Sequence, residues 1–236
     1  MEITKRQQDL LERIVKEYIK KAKPVSSDLL EKKYRFGVCP ATIRNDMVVL
    51  TKKGYLVQPH TSAGRIPSDK GYRFFVDKLF EKEFSDFENF LEIERQLKKE
   101  LKDVFGFANR LTNLLAEISD SLIVSHLFEE NLAFKQGWEK VLKEPEFENQ
   151  NYTLNFAQFL EEFEKDIKTL KTEKGVKVFI GKENPFEKGK EFSMILSTFS
   201  FPKKKKGVVS IIGPKRMAYE KNINLINCLT KLLQDF

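Results

Sequence analysis

Cysteine and histidine are nearly absent: two of each stand in 236 residues, Cys39 and Cys228, His60 and His126. A disulfide framework is excluded, and no zinc-finger spacing can be drawn. No uncharged apolar run reaches the roughly 18 residues that a membrane span needs, and the opening MEITKRQQ lacks the apolar stretch of a signal peptide, so the chain is expected to be cytoplasmic with no membrane contact. There is no Walker A loop, GxSxG elbow, HExxH helix or CxxC pair. The expectation is therefore a protein that is not an enzyme and that needs no cofactor or metal.

What is plentiful is phenylalanine, at 21 residues, within a chain that is 41% hydrophobic and 33% charged. That is enough for one or two domains with real cores. The formal charge of +7 is unevenly spread. Residues 1–80 hold 17 Lys and Arg against 9 Asp and Glu, while the remainder holds 25 against 26. A basic excess confined to one end points to a polyanion partner for that end, and nucleic acid is the commonest.

Thr4 with Gln7 forms a capping box, and Leu10, Leu11, Ile14, Val15 and Tyr18 follow at helical spacing, which predicts a helix over 5–22. Pro24 ends it, Ser26 or Ser27 caps a short second helix through Tyr34, and Gly37 breaks that one. Pro40 opens a third helix, where its missing N–H costs nothing. In it Ile43, Met47 and Leu50 must face the core, so Thr42, Arg44, Asn45 and Val48 point away. Gly54 ends that helix. Residues 55–58 and 65–66 then pair around the turn-forming tip PHTSAG, and Ser68 or Asp69 caps a further helix to about Glu81.

Helix, helix, helix, hairpin, helix is the order of a winged helix-turn-helix, in which the third helix enters a major groove. Arg44 has the fork to hold guanine O6 and N7, and Asn45 the amide to pair with adenine N6 and N7, while Thr42 suits a phosphate or a thymine methyl. The hairpin tip supplies His60, Thr61, Ser62 and Arg65 for phosphates or a narrow minor groove, with Lys70 and Arg73 behind it for the backbone. Taken alone, Arg44 and Asn45 are equally well two solvated residues. The neighbouring hairpin and the local charge favour base readout.

Beyond residue 80 the chain reads as α+β. Val176, Val178 and Ile180 alternate, as do Phe192, Met194, Leu196 and Thr198, and Val208 to Ile212 is a short apolar run before Gly213-Pro214. These predict three strands. Tyr219, Ile223, Ile226, Leu229 and Leu233 put one apolar face on a last helix. Between 87 and 122 apolar residues recur at alternating steps of three and four, broken once by Glu94. For 107–122 burial in its own domain, with Gly106 as the break, explains the pattern. For 87–105, a narrow stripe through Leu97, Leu101 and Val104 in the charged run EIERQLKKELKD predicts a partner helix and a homodimer. The tract PKKKKG, 202–207, reads as a solvated hairpin loop rather than a second nucleic-acid site, and His126 as structural.

The residues also carry a resemblance. ATIRND, GYL and above all QPHTSAGRIPSDKGYRFFVD resemble the N-terminal domain of the HrcA heat-shock repressors, almost continuously from 4 to 79. LTNLLAEISD (111–120), KEPEF (143–147), GVKVFIGKENPF (175–186) and GVVSIIGPKRMAY (207–219) are similar to pieces of that family's GAF-like domain. The resemblance implies an α+β chain with a winged helix-turn-helix over 1–80, a helical linker over 81–110 and a shortened GAF-like domain over 111–236. It also implies repression of chaperone genes through an inverted-repeat operator, and release governed by the GroE chaperonin. The chain departs from the family at Cys39-Pro40, where small hydroxyl residues are usual. It is also much shorter, with no room between about Leu127 and Leu132 for the family's inserted dimerisation domain. Two rivals are a DeoR-like regulator that senses a phosphorylated sugar and a protein-interaction module that no longer reads DNA.

Overall fold

The computed structural model describes residues 3–34, 36–61, 63–82, 90–170 and 175–234, in two compact units, Met1–Lys82 and Glu83–Phe236. No helix among the described residues is long and apolar enough to cross a membrane.

In the first unit α1 (Lys5–Lys21) starts at the expected box: the Gln7 N–H donates to Thr4 Oγ1 at 3.3 Å and the Thr4 N–H to Gln7 Oε1 at 3.2 Å. Its end is Ala22 at φ 52°, a left-handed cap ahead of Pro24. Ser26 caps α2 (Ser27–Lys33), and Pro40 opens α3 (Pro40–Lys52). Strand β1 (Leu56–Val57) pairs antiparallel with β2 (Ile66–Pro67), shorter than the spacing predicts, and Ser68 caps α4 (Asp69–Phe80). The core is Leu10, Leu11, Ile14 and Val15 of α1 with Leu30, Ile43, Leu50, Phe75 and Val76, all 2% exposed or less. α1 packs against both α3 and α4, so the third helix is held from behind.

Glu17 is buried in α1 under a cluster of donors. Lys33 Nζ and the Tyr34 hydroxyl both donate to its Oε1, the latter at 2.6 Å, and Lys21 Nζ lies 3.3 Å from Oε2. Burial alone would raise the carboxyl, yet these bonds outweigh it and bring it from 4.5 down to about 2. Since the folded value lies below the unfolded one, the stabilisation is complete above about pH 4.5 and disappears as pH falls towards 2. Glu17→Gln is expected to cost about 2–3 kcal/mol at pH 7, with the gap to wild type closing in acid. Thermal melts at pH 7 and pH 3 test it; equal stability at pH 7 would show that the cluster contributes nothing.

The second unit is built of α5 (Phe90–Lys98), α6 (Val104–Ile118), β3 (Leu122–Leu127), β4 (Leu132–Gln136), the single turn α7 (Trp138–Val141), α8 (Gln150–Asp166), β5 (Lys177–Ile180), β6 (Phe192–Phe201), β7 (Lys205–Pro214) and α9 (Tyr219–Gln234). The sheet is antiparallel throughout, in the order β4-β3-β7-β6-β5, five strands where periodicity predicts three. Leu122, Val124, Met194, Leu196, Val208 and Ile212 share one face and meet α8, whose Phe159 stacks on Phe192 at 5.5 Å and 4°. The other face takes α6 and α9: Thr112 donates to Ser125 at 2.7 Å, and Ser193 shares a 2.7 Å hydrogen bond with Tyr219. His126 is buried on β3 with its ring 5.9 Å from Phe128, and burial, then the Lys168 charge, lowers its pKa.

The expected helical seam over 87–122 is not continuous. α5 stops at Lys98, α6 restarts at Val104 under the Asp103 cap, and Leu122 belongs to a strand. Gly106 lies inside α6 and marks no break. Leu97 is 0% and Val104 6% exposed, covered by their own chain, while Leu101 is only partly buried. Burial within their own chain therefore accounts for Leu97 and Val104 without a partner helix, and does not account for Leu101. Phe87 and the side chain of Phe90 lie outside the described residues. α5 and α6 pack within the second unit, so residues 90–110 are part of its fold and not a spacer.

Candidate nucleic-acid interface

The outer face of α3 is the starting point. Ile43, Met47 and Leu50 are buried, and Arg44 and Asn45, which follow Ile43, are exposed. Arg44 is 70% exposed, its nearest acid being Asp28 at 4.0 Å, and Thr42 is partly exposed beside it. The helix begins without a side-chain cap. Cys39 occupies the cap position, and its Sγ lies 3.3 Å from Thr42 Oγ1, a contact that lowers the thiol pKa.

A buried carboxylate fixes the pitch of this helix. Asp46 sits among the apolar residues of the inner face and accepts from Arg6 Nε at 2.7 Å and Gln7 Nε2 at 2.9 Å. Burial opposes its charge, but the bonds from Arg6 and Gln7 prevail and hold the carboxyl below its usual value. Gln7 thus closes the cap of α1 with its carbonyl and ties α1 to α3 with its amide. The sequence signal for this was an aspartate inside an apolar stripe, which the helical spacing alone did not single out.

The hairpin is tied to the segment before α2 and gathered at its own tip. Val25 and Arg65 exchange backbone hydrogen bonds at 2.9 and 2.8 Å, which adds a bridge to the two-stranded ribbon. Gly64 comes so near that a Cβ there would meet the Val25 oxygen at 2.3 Å, a close approach open only to glycine. Gln58 Nε2 donates to the Thr61 and Ala63 carbonyls at 2.7 and 3.2 Å, gathering the tip. His60 and Thr61 are exposed at that tip, and Ser62 lies outside the described residues.

Arg65, Lys70 and Arg73 are placed differently from the others. Arg65 Nε donates to Thr51 Oγ1 of α3 at 3.0 Å, bracing the hairpin against the helix instead of extending from the tip. Lys70 donates to the Lys53 carbonyl at 2.9 Å and lies 4.3 Å from the centre of the Tyr55 ring, so it closes the end of α3. Arg73 pairs with Asp77 on its own helix at 3.4 Å. Between α2, α3 and the hairpin lies a cleft of about 330 Å³ lined by Ser26, Ser27, Asp28, Arg44, Gln58 and Arg65. Among the described residues no group of three or more His, Cys, Asp or Glu is placed to hold a metal ion.

The second unit shows how separated motifs meet. Arg216 of GPKRM is buried and binds Glu146 of KEPEF, Nε to Oε1 at 2.6 Å, with Glu144 as a second partner. The pairing anchors the loop before α9 and offers no reactive group.

A crystal structure described as that of a hypothetical protein at 2.2 Å resolution shares the fold, with a TM-score of 0.78 and 21% identity over 99% of this chain and 97% of that one. The heat-inducible transcription repressor HrcA of Thermoanaerobacter sp. (strain X514) is 29% identical over 333 aligned positions, covering all of this chain and 97% of the relative. With only 236 residues here, a long stretch of that relative has no counterpart in this chain. The protein of the same name from Pelotomaculum thermopropionicum is 42% identical over 120 residues, which is 51% of this chain and 34% of the relative. A family model described as the HrcA protein C terminal domain matches residues 47–223, running from inside α3 through the sheet to α9. Since that match takes in most of the chain, and the relatives align over both units, the chain belongs to the HrcA family.

Proposed function

We propose that this chain is a DNA-binding transcriptional repressor of heat-inducible genes, with α1 to α4 and the β1-β2 ribbon acting as a winged helix-turn-helix. One observation carries the reading: α3 presents Arg44 and Asn45 outward while Asp46, with Ile43, Met47 and Leu50, holds its inner face in the core against α1. A groove-reading helix needs both properties, exposed base readers and a fixed orientation. Thr42, Arg44 and Asn45 read bases, and His60, Thr61 and Ser62 approach phosphates at the wing. Arg65 braces the wing against α3, and Lys70 closes the end of that helix. Lys70 and Arg73 approach the DNA backbone from α4. The second unit is a shortened GAF-like domain, and the protein works in the cytoplasm.

An inverted-repeat operator requires two recognition helices related by a two-fold axis, so the active form is a homodimer. The GroE chaperonin as the signal for release is carried by the family resemblance. Selection of bound sites from random duplexes tests the reading: a symmetric consensus with two half-sites is expected, and recovery of unenriched sequence would refute it.

A further inference from the structure

The reading above leaves the tract PKKKKG without a role, and the fold treats its four lysines unequally. Lys205, on β7, forms ion pairs with Glu129 at 2.6 Å and Glu130 at 2.9 Å, and these carboxylates raise its ammonium to about 12. Lys203, Lys204 and Lys206 are exposed, and their ammonium groups have no ion-pair or hydrogen-bond partner among the described residues.

Lys203 and Lys204 stand at φ 60° and 59°, and the Lys205 N–H donates to the Pro202 carbonyl around them. Those are the φ signs of a type I′ hairpin turn, whose two central positions favour Asn then Gly because other L side chains are strained there. The turn has little room to relax. Phe201 and Pro202 are buried, the Phe201 ring meets Phe107 edge-on at 6.3 Å, and a Cβ on Gly207 would come 2.4 Å from the His126 carbonyl oxygen. A tip that only had to be wet would be served by Asn-Gly with less strain. Solvation accounts for the exposure of these lysines but not for two of them standing in left-handed positions.

We propose that the tip of the β6–β7 hairpin, Lys203, Lys204 and Lys206, is a second polyanion site that grips the phosphate backbone of duplex DNA. The inference rests on the repressor reading for its choice of polyanion. Three ammonium groups within four residues suit a row of phosphates. An acidic protein is the weaker match, because the tip offers no exposed aromatic or aliphatic anchor of the kind that dominates protein interfaces: Phe201 and Pro202 are turned inward.

The test uses the full chain with Lys203→Asn and Lys204→Gly, substitutions that ease the turn while removing two charges. Wild type and variant are titrated at several salt concentrations against a selected operator and a random duplex of equal length. The melting temperature should hold or rise. The slope of log K against log salt should become shallower by roughly 1–2 on both duplexes, since each lost phosphate contact removes about 0.9. Lys203→Arg with Lys204→Arg should keep the wild-type slope. An unchanged slope in the Asn-Gly variant overturns the proposal, and if that variant instead loses binding to polyglutamate, the tip belongs to an acidic protein. A wild type that binds both duplexes equally refutes base reading by α3, yet the slope difference still decides the tip.

Discussion

Leu97→Glu is expected to destabilise the second unit by about 4 kcal/mol or more rather than to split a dimer. Leu97 is fully buried on α5, which packs against α6, and Arg110 of α6 reaches back to Gln96 beside it. Truncating a buried leucine alone costs about 2–5 kcal/mol, and placing a carboxylate there without a partner adds its desolvation. Leu101 is only partly covered, so Leu101→Glu should cost far less. Urea unfolding of both single variants, with light scattering on each, separates the cases. A Leu97→Glu protein that stays folded but becomes monomeric would restore a partner helix as the cover for this stripe.

That stripe shows where sequence periodicity is informative and where it is silent. The apolar steps of three and four fall on buried positions at Leu97, Val104, Ala108, Leu111 and Leu115, but the pattern holds as well for two helices joined at residues 99–103 as for one. KKELKD contains no glycine or proline, and its residues are good helix formers, so only the Asp103 cap betrays the restart. Strands β3 and β4 were illegible for related reasons. All six residues of LIVSHL are buried, which erases the alternation that identifies a strand, and residues 128–131 turn the chain with Asn131 at φ 53° and no glycine.

The first unit was legible because its boundaries are written in local chemistry. Thr4 with Gln7, Ser26, Pro40, Gly54 and Ser68 each satisfy or terminate backbone groups within a few residues of themselves. The exposed face of α3 follows from its core-facing residues by subtraction. The tasks of Arg65 and Lys70 do not, since each is set by a partner 14 or 17 residues away, Thr51 and Lys53. A basic residue near a wing looks the same in sequence whether it faces phosphate or holds the wing in place.

The double variant Arg44→Ala, Asn45→Ala is expected to lose about 2–6 kcal/mol of operator binding, the sum of two good bidentate base contacts, while binding to random DNA barely changes. Neither side chain supports the fold: Arg44 is 70% exposed with only a 4.0 Å approach to Asp28, Asn45 is exposed, and alanine suits a helix interior. Stability should stay within about 0.5 kcal/mol of wild type. Arg65→Ala makes the contrast, because losing its bond to Thr51 loosens the hairpin from α3. Its loss should appear on operator and random duplexes alike and should be accompanied by a lower melting temperature. Titration of the three proteins against both duplexes, beside thermal melts, distinguishes reader from brace. Equal losses on the two duplexes for the double variant would remove Arg44 and Asn45 as base readers and leave α3 a surface that only touches phosphates.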